Sequence, residues 1–212
     1  MGHRAARRTG HPDAWGRRLS AELGQTPSQT VGPYFTLRVY RKGDEILVPE
    51  GYPGERIVIE GRVLDGDRRH IEDALLEIWQ ANPAGRYRHP DDTRDLALDA
   101  GFTGFGRTVS DFETGEYRFV TVKPGPVPDA EGAFQAPHVS LVVQGRGMLN
   151  PVFTRIYFSD EEEANQDDLT LRRVSAPRRG TLIAQLLEDQ DPKVYRFDVL
   201  FQGEDETVFF DF

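Results

Sequence analysis

His138 lies in the part of the sequence that comes closest to a metal-binding pattern. It opens the apolar stretch HVSLVVQ, whose alternation predicts a β-strand with Val139 and Leu141 facing the core. His138 and Ser140 then share the opposite face. A second histidine at position 140 would place two imidazoles about 7 Å apart, a span that one metal ion bridges. Ser140 offers only a hydroxyl, so His138 is either a metal ligand or a hydrogen-bonded strand residue.

A second candidate ligand is Tyr87, in the stretch GRYRH that follows the strand-like LEIWQAN. A phenolate is a hard, negatively charged donor that suits ferric iron. Tyr87 could equally be a packing residue with its hydroxyl in water. Other chemistries have less support. His70 and His89 lie in polar loops that do not suggest a hydrolytic triad, and the glycines of residues 101–106 precede no helical pattern of the kind that follows a phosphate loop.

Composition narrows the class of protein. The 212 residues carry a net charge of −9 and no cysteine. The acidic balance argues against nucleic-acid binding, and the lack of cysteine excludes disulfides and thiolate metal sites. No apolar run approaches the roughly 20 residues of a membrane helix, and no apolar segment follows Arg7 and Arg8 as a secretory signal requires. We therefore expect a cytoplasmic protein that binds neither nucleic acid nor a membrane.

The elements that must position these side chains are predicted to be short strands. The 21 Gly and 14 Pro residues indicate many turns, and apolar–polar alternation recurs along the chain. These signals predict an all-β fold, a β-sandwich with little helix. The predicted strands are Ile57–Leu64, Ala74–Ala81, Glu116–Val122, His138–Gln144, Thr154–Phe158, Tyr195–Phe201 and Thr207–Phe212. Thr181–Leu187 fits a strand or a helix by its pattern, and its strand-like neighbours favour a strand.

The remaining segments complete the predicted organisation. One short helix is expected at Asp160–Asn165, with Ser159 as its cap. Residues 1–25 are basic and lack a sustained apolar face, so we expect a disordered arm, followed by a single β domain over residues 26–212. The apolar C-terminus must be buried in its own core or against another chain, because an exposed apolar edge would aggregate. It is a first indication of an oligomer.

Four stretches of the sequence resemble the intradiol ring-cleavage dioxygenases. They are TPSQTVGPYF (Thr26–Phe35), LEIWQANPAGRYRH (Leu76–His89), TVKPGPVP (Thr121–Pro128) and APHVSLVV (Ala136–Val143). Together with the C-terminal stretch, the resemblance spans nearly all of residues 26–212. It implies an intradiol-dioxygenase-like β-sandwich and O2-dependent cleavage of a dihydroxylated aromatic ring at a non-haem Fe(III) centre.

The resemblance also implies where the iron ligands would fall. Family members hold the iron through two tyrosines and two histidines. In this sequence the first tyrosine position is Tyr87, the second holds Val127, and the histidine pair falls on His138 and Ser140. Two of the four implied ligands are therefore missing. The two that remain offer a trivalent ion one negative charge and two bonds, which predicts no tight binding.

The last stretch, Arg196–Phe212, resembles the alpha chains of those family members that cleave protocatechuate, an anionic dihydroxybenzoate. This resemblance implies that Fe(III) is bound by a homologous beta subunit, and that this chain shapes the beta subunit's site for protocatechuate and O2. The implied product is 3-carboxy-cis,cis-muconate. The residues implied to line that site are Thr30, Gly32, Pro33, Tyr34 and Arg146.

The residue types suit that role. Gly32 and Pro33 favour a tight bend near a ligand, Tyr34 offers a flat face with a hydroxyl, and Arg146 could pair with a carboxylate. The alternative for the first three is a plain strand-entry turn, and for Arg146 an exposed turn residue. Two other functions stay open at this point: a self-sufficient homodimeric intradiol dioxygenase, and a non-catalytic β-sandwich binding module.

Overall fold

The computed structural model describes residues 39–129 and 131–211. The predicted arm of residues 1–25 and four of the implied site residues (Thr30, Gly32, Pro33 and Tyr34) lie outside these ranges. Within them the chain forms eleven strands, numbered in chain order. They are β1 Arg56–Leu64, β2 Leu75–Gln80, β3 Phe105–Val109, β4 Glu116–Val122, β5 Val127–Pro128, β6 Phe134–Gln135, β7 His138–Gln144, β8 Val152–Phe158, β9 Ile183–Leu187, β10 Lys193–Arg196 and β11 Val199–Leu200.

Nine of these strands form one sheet, in the order β11-β1-β10-β9-β8-β7-β2-β3, with β4 as a further partner of β1. β1 runs parallel to β10 and β11, and β8 runs parallel to β9. β7 runs antiparallel to both of its neighbours, β2 and β8. β5 and β6 pair separately as a two-stranded ribbon. The order places β2, β7 and β8 side by side, and these three strands carry the candidate site.

Residues 44–47 close the sheet between β3 and β4. The backbone N–H of Arg107 in β3 donates to the carbonyl of Asp44 at 2.9 Å, and the N–H of Leu47 donates to the carbonyl of Val120 in β4 at 2.9 Å. One short segment therefore bridges β3, at one end of the strand order, and β4, the additional partner of β1. Its hydrogen bonds cover strand edges that could otherwise pair with another chain.

Side chains that alternate along the strands fill the core. Ile57, Ile59 and Val63 of β1 are fully buried, and so are Val139 and Leu141 of β7, as the sequence predicted. Because successive side chains of a strand point to opposite faces, the other face of β7 is turned away from this core. That face carries the candidate site.

The predicted all-β fold with little helix is confirmed. Two predicted strands, Glu116–Val122 and His138–Gln144, have the expected ends, and β3 was not predicted. The prediction of a strand over Thr207–Phe212 was wrong for residues 207–211, because side chains take up hydrogen bonds there. The hydroxyl of Thr207 accepts from the N–H of Leu200 at 2.9 Å, and the hydroxyl of Thr154 in β8 donates to the carbonyl of Val208 at 2.7 Å. The backbone pairing of these residues with β8 is an isolated bridge between Phe153 and Phe210.

The helical elements also differ in detail from the prediction. They are α1 Glu162–Asp167, α2 Leu169–Arg173 and a 3-10 helix Ala176–Leu182. Ser159 does not cap α1, because its hydroxyl accepts a hydrogen bond from the N–H of Leu186 at 3.0 Å. Among the described residues, no helix combines the length and the apolar character that a bilayer crossing requires.

Gln80, at the end of β2, provides a test of the packing between β2 and β4. Its fully buried side chain donates to the carbonyl of Val122 at 2.9 Å and accepts from the hydroxyl of Thr121 at 2.9 Å. Gln80→Leu should lower the free energy of unfolding by about 2–4 kcal/mol, because both partners lose their hydrogen bonds in a buried place. Chemical denaturation measures this loss.

The matched control is Gln185→Leu, at an exposed position of β9. This substitution should change the free energy of unfolding by no more than about 0.5 kcal/mol. Equal losses in the two variants would show that the buried hydrogen bonds of Gln80 contribute nothing specific.

Candidate functional site

The register of three strands places several side chains on one face of the sheet. Ser140 of β7 lies directly opposite Trp79 of β2 on one side and Arg155 of β8 on the other. His138 of β7 lies opposite Tyr157 of β8. Directly paired residues of neighbouring strands point to the same face, with Cβ atoms about 5 Å apart. An aromatic ring, a hydroxyl and a guanidinium therefore form one row, and an imidazole and a phenol form the next.

His138 is buried and neutral. It is 3% exposed, its Nδ1 lies 2.8 Å from the carbonyl oxygen of Ala136, and its ring centroid lies 5.8 Å from that of Tyr157. Because a carbonyl only accepts, Nδ1 carries the hydrogen and Nε2 keeps its lone pair. Burial, followed by the nearby Arg155 cation, lowers the pKa of His138 to about 4. The imidazole is thus uncharged at neutral pH.

Tyr87 lies in the loop after β2 and stacks on Trp79. Their ring centroids are 6.1 Å apart, with the ring planes 2° from parallel. The backbone N–H of Tyr87 donates to Asp92 at 2.7 Å, and Arg94 binds the same carboxylate at 2.6 Å. Burial raises the pKa of the Tyr87 phenol, and the Arg155 and Arg94 cations oppose that rise. The phenol therefore keeps its proton at neutral pH.

Close contact between two loops places Val127 beside Tyr87. Gly85 has φ +75°, and a Cβ at this position would come within 2.2 Å of the carbonyl oxygen of Pro126. Only glycine allows this approach without displacing the backbone. Val127 is 7% exposed and offers no donor atom. A cavity of about 880 Å³, here called the Tyr87 pocket, is lined by Trp79, Tyr87, His89, Asp91, Asp92, Thr93, Arg94, Val127 and Pro128.

The guanidinium of Arg155 is held by three oxygen atoms. Its Nη1 lies 2.8 Å from Oε1 of Gln135, 3.3 Å from the hydroxyl of Thr170 and 3.4 Å from the hydroxyl of Tyr157. Gln135 is the register partner of Val127 in the β5–β6 ribbon. The cation thus links β8 to the ribbon that carries one of the four implied ligand positions.

A buried carboxylate completes this arrangement. Asp168 is fully buried and accepts hydrogen bonds from the hydroxyl of Tyr157 at 3.1 Å, from the N–H of Ala136 at 3.0 Å and from the N–H of Leu171 at 2.9 Å. Burial raises the pKa of Tyr157, although Arg155 acts in the opposite direction. The phenol of Tyr157 therefore donates to Asp168 and accepts from Arg155, which fixes its orientation.

The structure brings the four implied ligand positions to one region. Tyr87 and Val127 line the same pocket, while His138 and Ser140 lie on the strand face that Trp79 also occupies. Arg146 lies elsewhere. It follows the opposite end of β7, whose seven residues from His138 to Gln144 span about 20 Å. Arg146 does not belong to the Tyr87 pocket.

Arg146 is exposed, and its position is set by two contacts. Its guanidinium pairs with the buried carboxylate of Asp73 and lies 6.0 Å from the ring centroid of the exposed Phe112. The Asp73 pair raises the pKa of the guanidinium further above its usual value. The cation is thus held at the surface by one buried partner.

Comparison with known proteins identifies the family to which this chain is similar. A family model described as "Dioxygenase" matches residues 30–203. The protocatechuate 3,4-dioxygenase alpha chain of Burkholderia cepacia is 44% identical over 89% of this chain and 98% of its own length, and that of Pseudomonas putida is 40% identical over 90% and 98%. The beta chain of the Burkholderia cepacia enzyme is 36% identical over 76% of this chain and 70% of its own length.

The chain belongs to the intradiol ring-cleavage dioxygenase family. The fold agrees: the 3-chlorocatechol 1,2-dioxygenase of Rhodococcus opacus 1CP superimposes with a TM-score of 0.57 at 20% identity, covering 73% of this chain and 63% of its own. Members of this family use non-haem Fe(III).

The residues of this chain do not fit such an iron centre. Val127 presents only methyl groups to the Tyr87 pocket, and Ser140 has a guanidinium as its strand neighbour. Within residues 39–129 and 131–211, no group of three or more His, Cys, Asp or Glu side chains is placed to hold a metal ion. Tyr87 and His138 keep their donor atoms, but one phenolate and one neutral imidazole do not offset three positive charges.

Sequence reasoning missed Arg155, Gln135 and Asp168. The alternation of TRIYF places Arg155 and Tyr157 on one strand face, which is the only local signal. The register between β7 and β8 places Arg155 opposite Ser140 and Tyr157 opposite His138. The alternation within each strand does not specify which residues of the two strands pair.

The lowered pKa of His138 gives a pH dependence of stability. The unfolded chain takes up a proton near pH 6.5 and the folded chain only near pH 4, so the free energy of unfolding falls as pH decreases through that window. The loss should be on the order of 3 kcal/mol for this group. His138→Gln, which cannot take up this proton, should remove that part of the slope between pH 6.5 and 4 in denaturation curves. Parallel curves for the two proteins would contradict the prediction.

Proposed function

We propose that this chain is the alpha subunit of a protocatechuate 3,4-dioxygenase. One observation carries the proposal: two of the four implied ligand positions have no suitable donor, since Val127 in the Tyr87 pocket lies where a tyrosine would lie and Ser140 on β7 lies where a histidine would lie. The chain thus has the fold of an iron dioxygenase without its donor set. An enzyme built on such a chain requires a second, iron-bearing subunit, which argues against a self-sufficient homodimer.

The relatives support a two-subunit assembly. Two alpha chains match over nearly their whole length, and a beta chain matches over 70% of its own. The similarity of this chain to both kinds of subunit indicates that they share a fold. The partner proposed here is accordingly a homologous beta subunit that holds the Fe(III).

The reaction would cleave protocatechuate between its two hydroxyl-bearing carbons. Both atoms of O2 enter the product, 3-carboxy-cis,cis-muconate, so no other oxidant is needed. The iron supplies the redox chemistry in the beta subunit. This chain would contribute binding and orientation, which lower the barrier by fixing the substrate and placing charge against it.

Arg146 is the described residue best suited to that contribution. It lies about 20 Å along β7 from this chain's own pocket, it is exposed, and the buried carboxylate of Asp73 holds its guanidinium in place. A guanidinium binds a carboxylate through two parallel N–H donors. An exposed, positioned arginine can therefore bind the carboxylate of a substrate that sits on a neighbouring subunit.

The other residues proposed for the partner's site precede the described part of the chain. They are Thr30, Gly32, Pro33 and Tyr34, which match family positions near the substrate. The matched family segment begins at residue 30, which supports a β domain over residues 26–212 with residues 1–25 as a separate basic arm.

Arg146→Ala tests the carboxylate role in the assembled enzyme. The variant should raise the KM for protocatechuate roughly 10- to 100-fold, because a charge-assisted hydrogen bond contributes about 1.5–3 kcal/mol. Catechol, which lacks the carboxylate, should show a much smaller change. Arg118→Ala, at an exposed arginine of β4, is the control and should alter neither KM. Equal effects of Arg146→Ala on both substrates would rule out the carboxylate role.

Iron analysis of the natural complex tests the subunit assignment. The chain isolated from its host should co-purify with a homologous chain that carries both tyrosines and both histidines. The complex should contain one iron per pair of chains and show the red colour of Fe(III)–tyrosinate. A preparation of this chain alone that bound one iron per chain and cleaved protocatechuate would overturn the proposal.

A further inference from the structure

Asp73 is a buried carboxylate whose charge is compensated by an exposed cation. Its Oδ2 accepts a hydrogen bond from Nη2 of Arg146 at 2.5 Å, and its side chain is 3% exposed, against 48% for that of Arg146. The other oxygen, Oδ1, is buried and has no hydrogen-bond partner among the described residues. Moving the guanidinium away would leave a buried charge uncompensated, which is unfavourable. Arg146 is therefore held at its place by more than a surface ion pair.

Ser110 fixes the backbone on both sides of Asp73. Its hydroxyl accepts from the N–H of Ala74 at 2.8 Å and donates to the carbonyl of Ile71 at 2.9 Å. Its own N–H donates to the carbonyl of Ala74 at 2.8 Å. Asp73 has φ +49°, a left-handed conformation that Asp and Asn adopt more readily than most residues. The carboxylate thus starts from a turn that hydrogen bonds hold on either side.

Phe112 supplies a second contact to Arg146 from the same segment. It lies two residues after Ser110, and its ring centroid is 6.0 Å from the guanidinium carbon of Arg146. The segment that fixes the backbone around Asp73 therefore also carries the ring beside the guanidinium. Both described contacts of the Arg146 side chain depend on the position of this one segment.

The contact with Asp73 leaves the guanidinium able to bind a second carboxylate. Nη2 carries two hydrogen atoms, one on each of the two edges that a guanidinium presents to a carboxylate. A single hydrogen bond from Nη2 to Asp73 occupies one edge, and the other edge keeps both of its N–H donors. Because nearly half of the Arg146 side chain is exposed, a carboxylate from outside this chain can reach it.

We propose that Asp73 is a positioning residue for the carboxylate of the substrate and acts through Arg146. It fixes the guanidinium before the substrate arrives, so that less side-chain entropy is lost on binding. Asp73 and Arg146 together then determine the preference for substrates that carry a carboxylate. This inference rests on the proposed function, since it requires that Arg146 binds a substrate held by the partner subunit.

Two opposing contributions set the sign of the effect of Asp73. Its negative charge lowers the attraction of Arg146 for an anion, while its hydrogen bond removes the freedom of a long side chain before the substrate binds. Water and salt around an exposed group weaken the first contribution, whereas the loss of side-chain freedom is not screened. We therefore expect that removal of the carboxylate weakens substrate binding.

The test compares Asp73→Asn and Asp73→Gly in the complex with the partner subunit. Both Asn and Gly tolerate φ +49°, but Asn keeps the shape of the side chain without its charge and Gly removes the side chain. Each variant should raise the KM for protocatechuate about 3- to 10-fold with little change in kcat, the effect of freeing one long side chain. The KM for catechol, which lacks the carboxylate, should change far less.

A double-mutant cycle shows whether Asp73 acts through Arg146. In the Arg146→Ala background, Asp73→Asn should cause no further rise in the KM for protocatechuate, because the guanidinium that it positions is gone. A merely structural role would raise the KM in both backgrounds and for both substrates. Asp205→Asn, which breaks an exposed pair with Arg68, is the matched control and should alter neither KM.

The outcomes distinguish this inference from the proposed function. If Arg146→Ala raises the KM for protocatechuate but both Asp73 variants leave it unchanged or lower it, the positioning role is overturned and the subunit assignment stays intact. A full effect of Asp73→Asn in the Arg146→Ala background would overturn it in the same way. If Arg146→Ala leaves this KM unchanged, the carboxylate role of Arg146 fails and the inference fails with it. Stoichiometric iron in this chain alone would instead overturn the proposed function.

Discussion

The register between β7 and β8 is the constraint on which the candidate site depends. It sets Ser140 opposite Arg155 and His138 opposite Tyr157, and the neighbouring β2–β7 pairing adds Trp79 to the same row. A shift of one residue would turn every side chain of β7 to the other face and bury His138 in the core in place of Val139. The apolar alternation of β7 therefore fixes both the core and the chemistry of the opposite face.

The same strands explain how the family fold can lack two of the implied iron ligands and stay folded. The core of Ile57, Ile59, Val139 and Leu141 lies on the far side of the site, so changes at positions 127 and 140 leave it untouched. On the site face, hydrogen bonds among Gln135, Arg155, Tyr157 and Asp168 satisfy the polar groups of that region. Buried polar groups without partners would cost about 1–3 kcal/mol each, and this network avoids that cost.

The position of Arg146 separates two roles that one chain can hold. One end of β7 carries His138 and the inherited pocket, and the loop beyond the other end carries an exposed guanidinium held by Asp73. In the proposed function, a subunit without iron still presents a charged group to its neighbour. The buried carboxylate of Asp73 matters here, because an unheld arginine would lose entropy on binding a substrate.

The sequence by itself determined the fold class, the core face of β7 and the family, because alternating apolar residues and the motifs around Tyr87, Val127 and His138 are local. It also determined that two donors are missing, since Val127 and Ser140 are read directly from the chain. Only the tertiary structure decided that Arg155 faces Ser140, that Asp168 holds Tyr157 and that residues 44–47 close the sheet. Those contacts depend on strand register and loop contact between distant segments, which local patterns do not specify.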